Sequence, residues 1–322
     1  MAVWERVNII SNGVACAAQA PLIISASRAT DIPAFYSEWL LRRLEEGFVR
    51  WDNPFNGKPS LVSFARARLF VFWTKNPRPL MARLDAFDRR GLNYYFQFTL
   101  NDYEAEGLEP GVPPLDERVA AFAELSERIG PERVIWRFDP LLLTDTIDVE
   151  TLLRKLEKIA RRLQGFTRRL VISFADIQGY ANVARNLAGT AVRAREFSDA
   201  SMRALAAGLM ERNREWGFQV GTCAENIDLS DYGIEHTRCV DDRLIARVFA
   251  HDPLLAAFVA APRLKDKGQR KACGCIPSKD IGAYGTCPHL CAYCYANACA
   301  EAVMRNYRAH LEHPRGAGIC GA

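Results

Sequence analysis

The sequence predicts an α/β protein in which parallel strands alternate with helices around a closed or nearly closed barrel. Three observations predict it. Apolar runs of strand length alternate with helical stretches roughly six times, the pattern of βαβ units. Each strand run stops at polar residues, and barrels of this kind carry their chemistry at the carboxyl ends of the strands. The 322 residues, 49% hydrophobic and 25% charged, suffice for one large core and contain no internal repeat or low-complexity tract.

The elements follow in order. Pro21 to Ser27 reads as a buried strand, and Arg28 to Asp31 as a polar loop in which Asp31 caps a helix with Pro33 in its first turn. Phe35, Trp39, Leu40 and Leu44 mark that helix's apolar face, and Gly47 ends it. Residues 48–67 are less regular, with a loop at Trp51 to Gly57. Leu69 to Trp73 is the second strand, ending at Thr74-Lys75-Asn76-Pro77; a helix from Pro79 to Arg90 follows, stopped by Gly91. Tyr94 to Leu100 is the third strand, ending at Asn101-Asp102. A Pro- and Gly-rich loop, 107–114, leads into a helix carrying Leu115, Val119, Phe122 and Leu125. Arg133 to Phe138 is the fourth strand, with Arg137 and Asp139 at its end. Leu152, Leu153, Leu156, Ile159 and Leu163 form the next amphipathic helix. Leu170 to Phe174 is the fifth strand and ends at Asp176. Ser198 caps a helix, and Phe218 to Gly221 begins a sixth strand ending near Cys223 and Glu225. The aromatics of the second and third strands read as core.

Net charge is +4, from 42 basic and 38 acidic side chains, too even a balance to imply a nucleic-acid partner by itself. Arg161, Arg162, Arg168 and Arg169 form one basic cluster, read as a solvated face. The start, Met1-Ala2-Val3-Trp4-Glu5, lacks the pattern of a signal peptide. No stretch approaches the roughly 18 apolar residues of a membrane span. A cytoplasmic, reducing location is therefore expected. There, ten cysteines read as metal ligands or free thiols rather than disulfides.

The densest cluster is Cys287-Pro288-His289-Leu290-Cys291-Ala292-Tyr293-Cys294. Three thiols this close call for a soft metal. They could bind zinc if His289 or Cys299 supplied a fourth ligand. They equally fit three irons of a four-iron cluster whose fourth iron stays open. Cys223, Cys239, Cys273 and Cys275 make a further four, candidates for a second cluster; Cys16, Cys299 and Cys320 are left as spare thiols. Residues 1–262 read as the barrel and 263–322 as a C-terminal cluster-binding segment with a helix.

The Cys-x3-Cys-x2-Cys loop, with Tyr293 directly before its last cysteine, resembles the cluster loop of the radical S-adenosylmethionine (SAM) superfamily. Tyr295-Ala296-Asn297 adds a likeness to its spore photoproduct lyase branch. The whole chain resembles an uncharacterised bacterial family with a C-terminal cysteine cluster. The shared stretches are Ser25 to Pro33, Phe72 to Pro77, Arg137 to Pro140, Cys273-Gly274-Cys275, and Asp280 to Asn297. The resemblance implies a partial (β/α)6 TIM-like barrel of radical SAM type. In the superfamily the cysteine loop follows the first strand; here it follows the sixth, a permuted order.

The resemblance further implies that Cys287, Cys291 and Cys294 hold a [4Fe–4S] cluster, that SAM chelates its open iron, and that Tyr293 approaches the adenine. Reductive cleavage of SAM would yield a 5′-deoxyadenosyl radical that takes hydrogen from an unidentified substrate, with flavodoxin or ferredoxin as reductant. No Gly-Gly-Glu motif follows the second strand; Thr74, Lys75 and Asn76 stand there. Lys75 or Arg137 would pair with the SAM carboxylate, and Asp139 or Asp176 would meet its ribose or amino group. Two alternatives stand beside this reading. One is an iron–sulfur or zinc protein without SAM cleavage, serving electron transfer, sensing or structure. The other is a nucleic-acid repair or modification enzyme.

Overall fold

The computed structural model describes residues 4–11, 13–262 and 264–321. Met1, Ala2 and Val3, on which the leader reading rests, lie outside the described residues, as do Arg263 and Ala322 at the bounds of the C-terminal segment.

Eight strands form one all-parallel sheet. They are β1 (Ile23–Ala26), β2 (Leu69–Thr74), β3 (Asn93–Thr99), β4 (Val134–Leu141), β5 (Arg169–Phe174), β6 (Gln219–Cys223), β7 (Glu235–Thr237) and β8 (Lys279–Asp280). Their order in space is β7-β6-β5-β4-β3-β2-β1-β8. The last strand returns to the first: Lys279 pairs with Ile24 and Asp280 with Ser25. A separate four-stranded mixed sheet is built from Glu5–Ser11, Val14–Ala20, Phe48–Asp52 and Pro59–Ser63.

The barrel expectation is corrected by this topology. The partial (β/α)6 TIM-like barrel does not form; among the described residues the sheet is open, has eight strands, and its ends do not pair. Both edge strands are short, three residues in β7 and two in β8. Counting βα units predicts parallel pairing, which is what occurs. Closure depends on strand tilt and on stagger accumulated between strands, and no single run of sequence carries that.

Alternation along the strands sorts their side chains into two cores. Ile24, Phe70, Phe72, Tyr94, Phe96, Trp136 and Ile172 face the larger, helix-covered core. Ile23, Leu69, Val71, Tyr95, Ile135 and Val171 face a smaller one, closed by Val240, Leu244, Ile245 and Ile276.

Local chemistry accounts for the helix ends. Asp31 accepts a bond from Ala34 N (3.0 Å), and Gly47 ends the following helix at φ +81°, a conformation that suits glycine. Asp148 and Ser198 cap Val149–Leu163 and Asp199–Trp216. The hairpin of Phe48–Asp52 and Pro59–Ser63 occupies the stretch that reads as irregular in the sequence. Among the described residues, no helix is long and apolar enough to cross a membrane.

Candidate functional site

The loop Cys287 to Cys294 lies across the carboxyl ends of the first strands of the sheet. One carboxylate anchors the chain that leads into it. Asp280, at the end of β8, accepts bonds from Ser25 Oγ (2.7 Å), Ser27 Oγ (2.6 Å), Arg28 N (3.0 Å) and Gly282 N (2.9 Å). Tyr36 donates to Thr286 O (2.5 Å), and Asn297 Nδ2 to Cys287 O (3.0 Å).

A second anchor comes from the 107–114 loop. Gly111 N donates to His289 O (3.0 Å) and Ala292 N to Leu108 O (2.9 Å). The two backbones touch at Gly111, where an added Cβ would stand 2.4 Å from Pro288 O and 2.9 Å from His289 Cα. Both ring nitrogens of His289 are engaged, Nε2 with Asp31 Oδ2 (2.8 Å) and Nδ1 with Gly111 O (2.9 Å). As placed, His289 holds the loop and has no nitrogen free for a metal. Cys299, the other candidate fourth ligand, is exposed ahead of the last helix.

Tyr293 is buried and points inward. Its hydroxyl meets Lys75 Nζ (2.9 Å), Asn101 Nδ2 (3.0 Å) and the Glu109 carboxylate. Lys75 Nζ pairs with Glu109 Oε1 at 2.7 Å. Arg118 stands 3.6 Å from Glu109 Oε2, and that oxygen is buried with no hydrogen-bond partner. Asn297 Oδ1 is likewise buried and unpartnered. Such atoms are costly to leave unsatisfied. Burial alone would raise the Glu109 carboxyl, but Lys75 and Arg118 overcome it and hold the group below its ordinary value. Burial would lower Lys75, and Glu109 more than reverses this.

Burial pushes all three loop thiols up, Cys291 to about 12, with mutual repulsion among the sulfurs adding to the effect at Cys287 and Cys291. Without a cationic partner they stay protonated at neutral pH. Binding iron or zinc would displace those protons. The donor set is therefore one buried thiol, Cys291, two half-buried ones, Cys287 and Cys294, nearby cations, and orphaned acceptors at Glu109 and Asn297. These are donors of the kind that a sulfur-ligated centre would use, and among the described residues they are not gathered to hold a single metal ion.

The other strand-end candidates divide. Thr74 Oγ1 accepts from Asn76 N (3.0 Å), and Asn76 Oδ1 from Arg78 N (3.3 Å), so these two shape the turn that presents Lys75. Arg137 Nε donates to Asp139 Oδ2 (3.0 Å), and Ser173 also bonds this carboxylate. Burial would raise Asp139, but Arg137 and Ser173 hold it down. Asp176 is exposed and accepts from Gly179 N (2.8 Å) in its own turn, so it does not join the loop. Each arginine of the basic cluster already faces a carboxylate: Arg161 meets Glu157, Arg162 Asp116, Arg168 Glu132 and Arg169 Asp241.

The four remaining candidate cysteines gather elsewhere. Cys223 Sγ lies 3.1 Å from Cys239 Sγ, and Cys275 Sγ accepts from Cys239 N and Val240 N at 3.3 and 3.4 Å. Among the described residues, no three Cys, His, Asp or Glu side chains are arranged to hold a single metal ion.

Glu109 and Asn297 are the site residues that sequence reasoning leaves without a role. Glu109 sits in a Pro- and Gly-rich stretch that reads only as connection, and its signal was a lone acid there.

Fold and site together define an α/β protein with a partly buried three-cysteine loop seated on the carboxyl ends of a parallel sheet. The chain belongs to the family described as "Domain of unknown function (DUF1848)", whose match runs over residues 23–296, from β1 through the cysteine loop. Neither the curated proteins nor the solved structures contain a match.

Proposed function

We propose that this protein is an iron–sulfur enzyme of radical SAM type, working in the reducing cytoplasm on a substrate still to be found. The observation that carries the reading is a loop of three thiols, Cys291 buried and Cys287 and Cys294 half-buried, together with an unpartnered Glu109 oxygen beside Lys75 and Tyr293. Cys287, Cys291 and Cys294 would hold three irons of a [4Fe–4S] cluster. The chemistry that a bound cluster supplies is one-electron cleavage of SAM to methionine and a 5′-deoxyadenosyl radical.

The chain's own part is binding and placement. Tyr293 ties the loop to Lys75, Asn101 and Glu109, so the thiols keep their position on the sheet. Glu109 Oε2 and Asn297 Oδ1 are free to accept from an ammonium or hydroxyl of SAM. Burial of Cys291 and Tyr293 limits access of water from that side of the loop.

A second reading, an iron–sulfur protein without SAM cleavage, is favoured by one observation. Lys75 and Arg137, the cations expected to meet the SAM carboxylate, already pair with Glu109 and Asp139. Anaerobically reconstituted, reduced protein is expected to form 5′-deoxyadenosine from SAM, and the Cys287/Cys291/Cys294→Ala variant to form none. A full iron count with no product would overturn the proposal in favour of the second reading.

A further inference from the structure

Cys223 ends β6 and Cys239 follows β7. Those strands run parallel with Cys223 opposite Thr237, so both cysteines come to the same end of the sheet. Their sulfurs lie 3.1 Å apart. A disulfide bond is about 2.05 Å long, so joining them needs only about 1 Å of further approach. Neither belongs to the cysteine loop. Cys239 is buried in the smaller core with Cys223 packed against it, whereas Cys291 and Tyr293 belong to the larger one.

The two thiols have unlike surroundings. Cys223 is half-buried, whereas Cys239 is buried, so a small molecule meets Cys223 first. Directly after Cys223 the chain turns at Ala224 with φ +57°, a left-handed conformation that costs free energy for a residue with a Cβ. Cys239 is held from several sides. Tyr95 Oη and Gln97 Nε2, both from β3, donate to its carbonyl at 2.6 and 2.9 Å. Its own N–H donates to Cys275 Sγ at 3.3 Å, and Val240 N donates to the same sulfur at 3.4 Å. Arg137, 3% exposed, points Nη1 at Cys239 Sγ (3.1 Å). A buried guanidinium at a sulfur favours the thiolate, the nucleophilic form. Neutral thiols packed as small hydrophobes gain little from such a neighbour. Within the reduced pair, the bond from Cys239 holds Cys223 below the ordinary thiol range, and the same bond pushes Cys239 up.

We propose that Cys223 and Cys239 form a redox-active dithiol that exchanges with low-molecular-weight disulfides, Cys223 as the attacking and Cys239 as the resolving thiol. The Cys223 thiolate attacks one sulfur of a disulfide RSSR. A Cys223–SR bond forms as the S–S bond breaks, and the leaving RS⁻ takes a proton from water. Cys239 then loses its proton to water, with Arg137 beside the thiolate that remains. It attacks Cys223 Sγ and expels the second RS⁻, which is protonated in turn. In balance, the dithiol gives up two electrons and two protons, RSSR leaves as two RSH, and a Cys223–Cys239 disulfide remains. Excess RSH reverses both steps. No step involves a metal or the cysteine loop.

The test is disulfide mapping of the full chain, equilibrated without oxygen in mixtures of reduced and oxidised glutathione, quenched with acid and alkylated. Peptides joined through Cys223 and Cys239 should accumulate as the oxidised share rises and disappear when it is lowered again. Cys239→Ser should instead collect glutathione on Cys223, because the resolving thiol is gone. Cys223→Ser should leave Cys239 without glutathione, because the attacking thiol is gone. Free Cys223 and Cys239 in excess oxidised glutathione overturn the proposal, as does either one joined to a different cysteine. Should a variant fail to fold, the wild-type map decides alone. The readout is neither iron content nor 5′-deoxyadenosine, so its failure is distinct from failure of the radical SAM reading.

Discussion

Replacing Lys75 by methionine is expected to destabilise the protein by about 3–5 kcal/mol, because it leaves a buried carboxylate without its partner. Glu109 has 2% of its side chain exposed, and Lys75 Nζ is its nearest cation at 2.7 Å. Arg118, at 3.6 Å and bonded to Asn101 O and Pro113 O, cannot fully replace it. The double change Lys75→Met/Glu109→Leu should cost less than Lys75→Met alone, since no orphan charge remains.

The pH dependence follows from the two directions. Glu109 is held below its ordinary 4.5, so its contribution is complete above that pH and is lost as pH falls through the folded value. Lys75 is held above its ordinary 10.5, so its contribution is complete below that pH and is lost as pH rises through the folded value. The gap between wild type and Lys75→Met, read from urea unfolding, should be widest near neutrality and close in acid. An equal gap at every pH would remove the ion pair as its cause.

Asp280→Ala is expected to have the next largest effect, on the order of 3 kcal/mol or more, because four bonds to one charged group are lost together. The buried hydroxyls of Ser25 and Ser27 lose their acceptor, and Arg28 N and Gly282 N lose theirs. The two-residue β8 has little else to hold it to β1. Iron retention should fall along with stability, because the chain entering the cysteine loop comes free. Asp280→Asn should recover only part, since an amide nitrogen in place of either oxygen would face one backbone donor, Arg28 N or Gly282 N. A variant that keeps wild-type iron would show that the loop is seated without this carboxylate.

The sequence made the first six strands of the parallel sheet legible, because each is a mostly apolar run of strand length followed by polar residues. The helix caps at Asp31 and Ser198 are local chemistry that short windows carry. The edges were not legible. Glu235–Thr237 and Lys279–Asp280 are too short and too polar to read as strands, and only pairing with β6 and β1 makes them so. Val14–Ala20, VACAAQA, is rich in alanine and is a strand because Glu5–Ser11 pairs along all of it. Openness of the sheet is a property of accumulated register and was read wrongly for that reason.

Within the site, the loop cysteines stood out by spacing, and the four distant ones by count alone. Their approach to Arg137 and Arg28 required the fold. The lone acid at Glu109 carries no role in the sequence because that role depends on Lys75, Arg118 and Tyr293, which lie 34, 9 and 184 residues away in the chain. Asp176 shows the reverse. It ends a strand as a site residue would, but its carboxylate closes a local turn onto Gly179.

The most direct test of the central claim is electron paramagnetic resonance of the one-electron-reduced protein, recorded with and without SAM. A cluster signal that changes when SAM is added is expected, because SAM would take the iron that Cys287, Cys291 and Cys294 would leave open. This response is expected to disappear in the Cys287/Cys291/Cys294→Ala variant. A wild-type cluster signal that SAM leaves unchanged would contradict the claim.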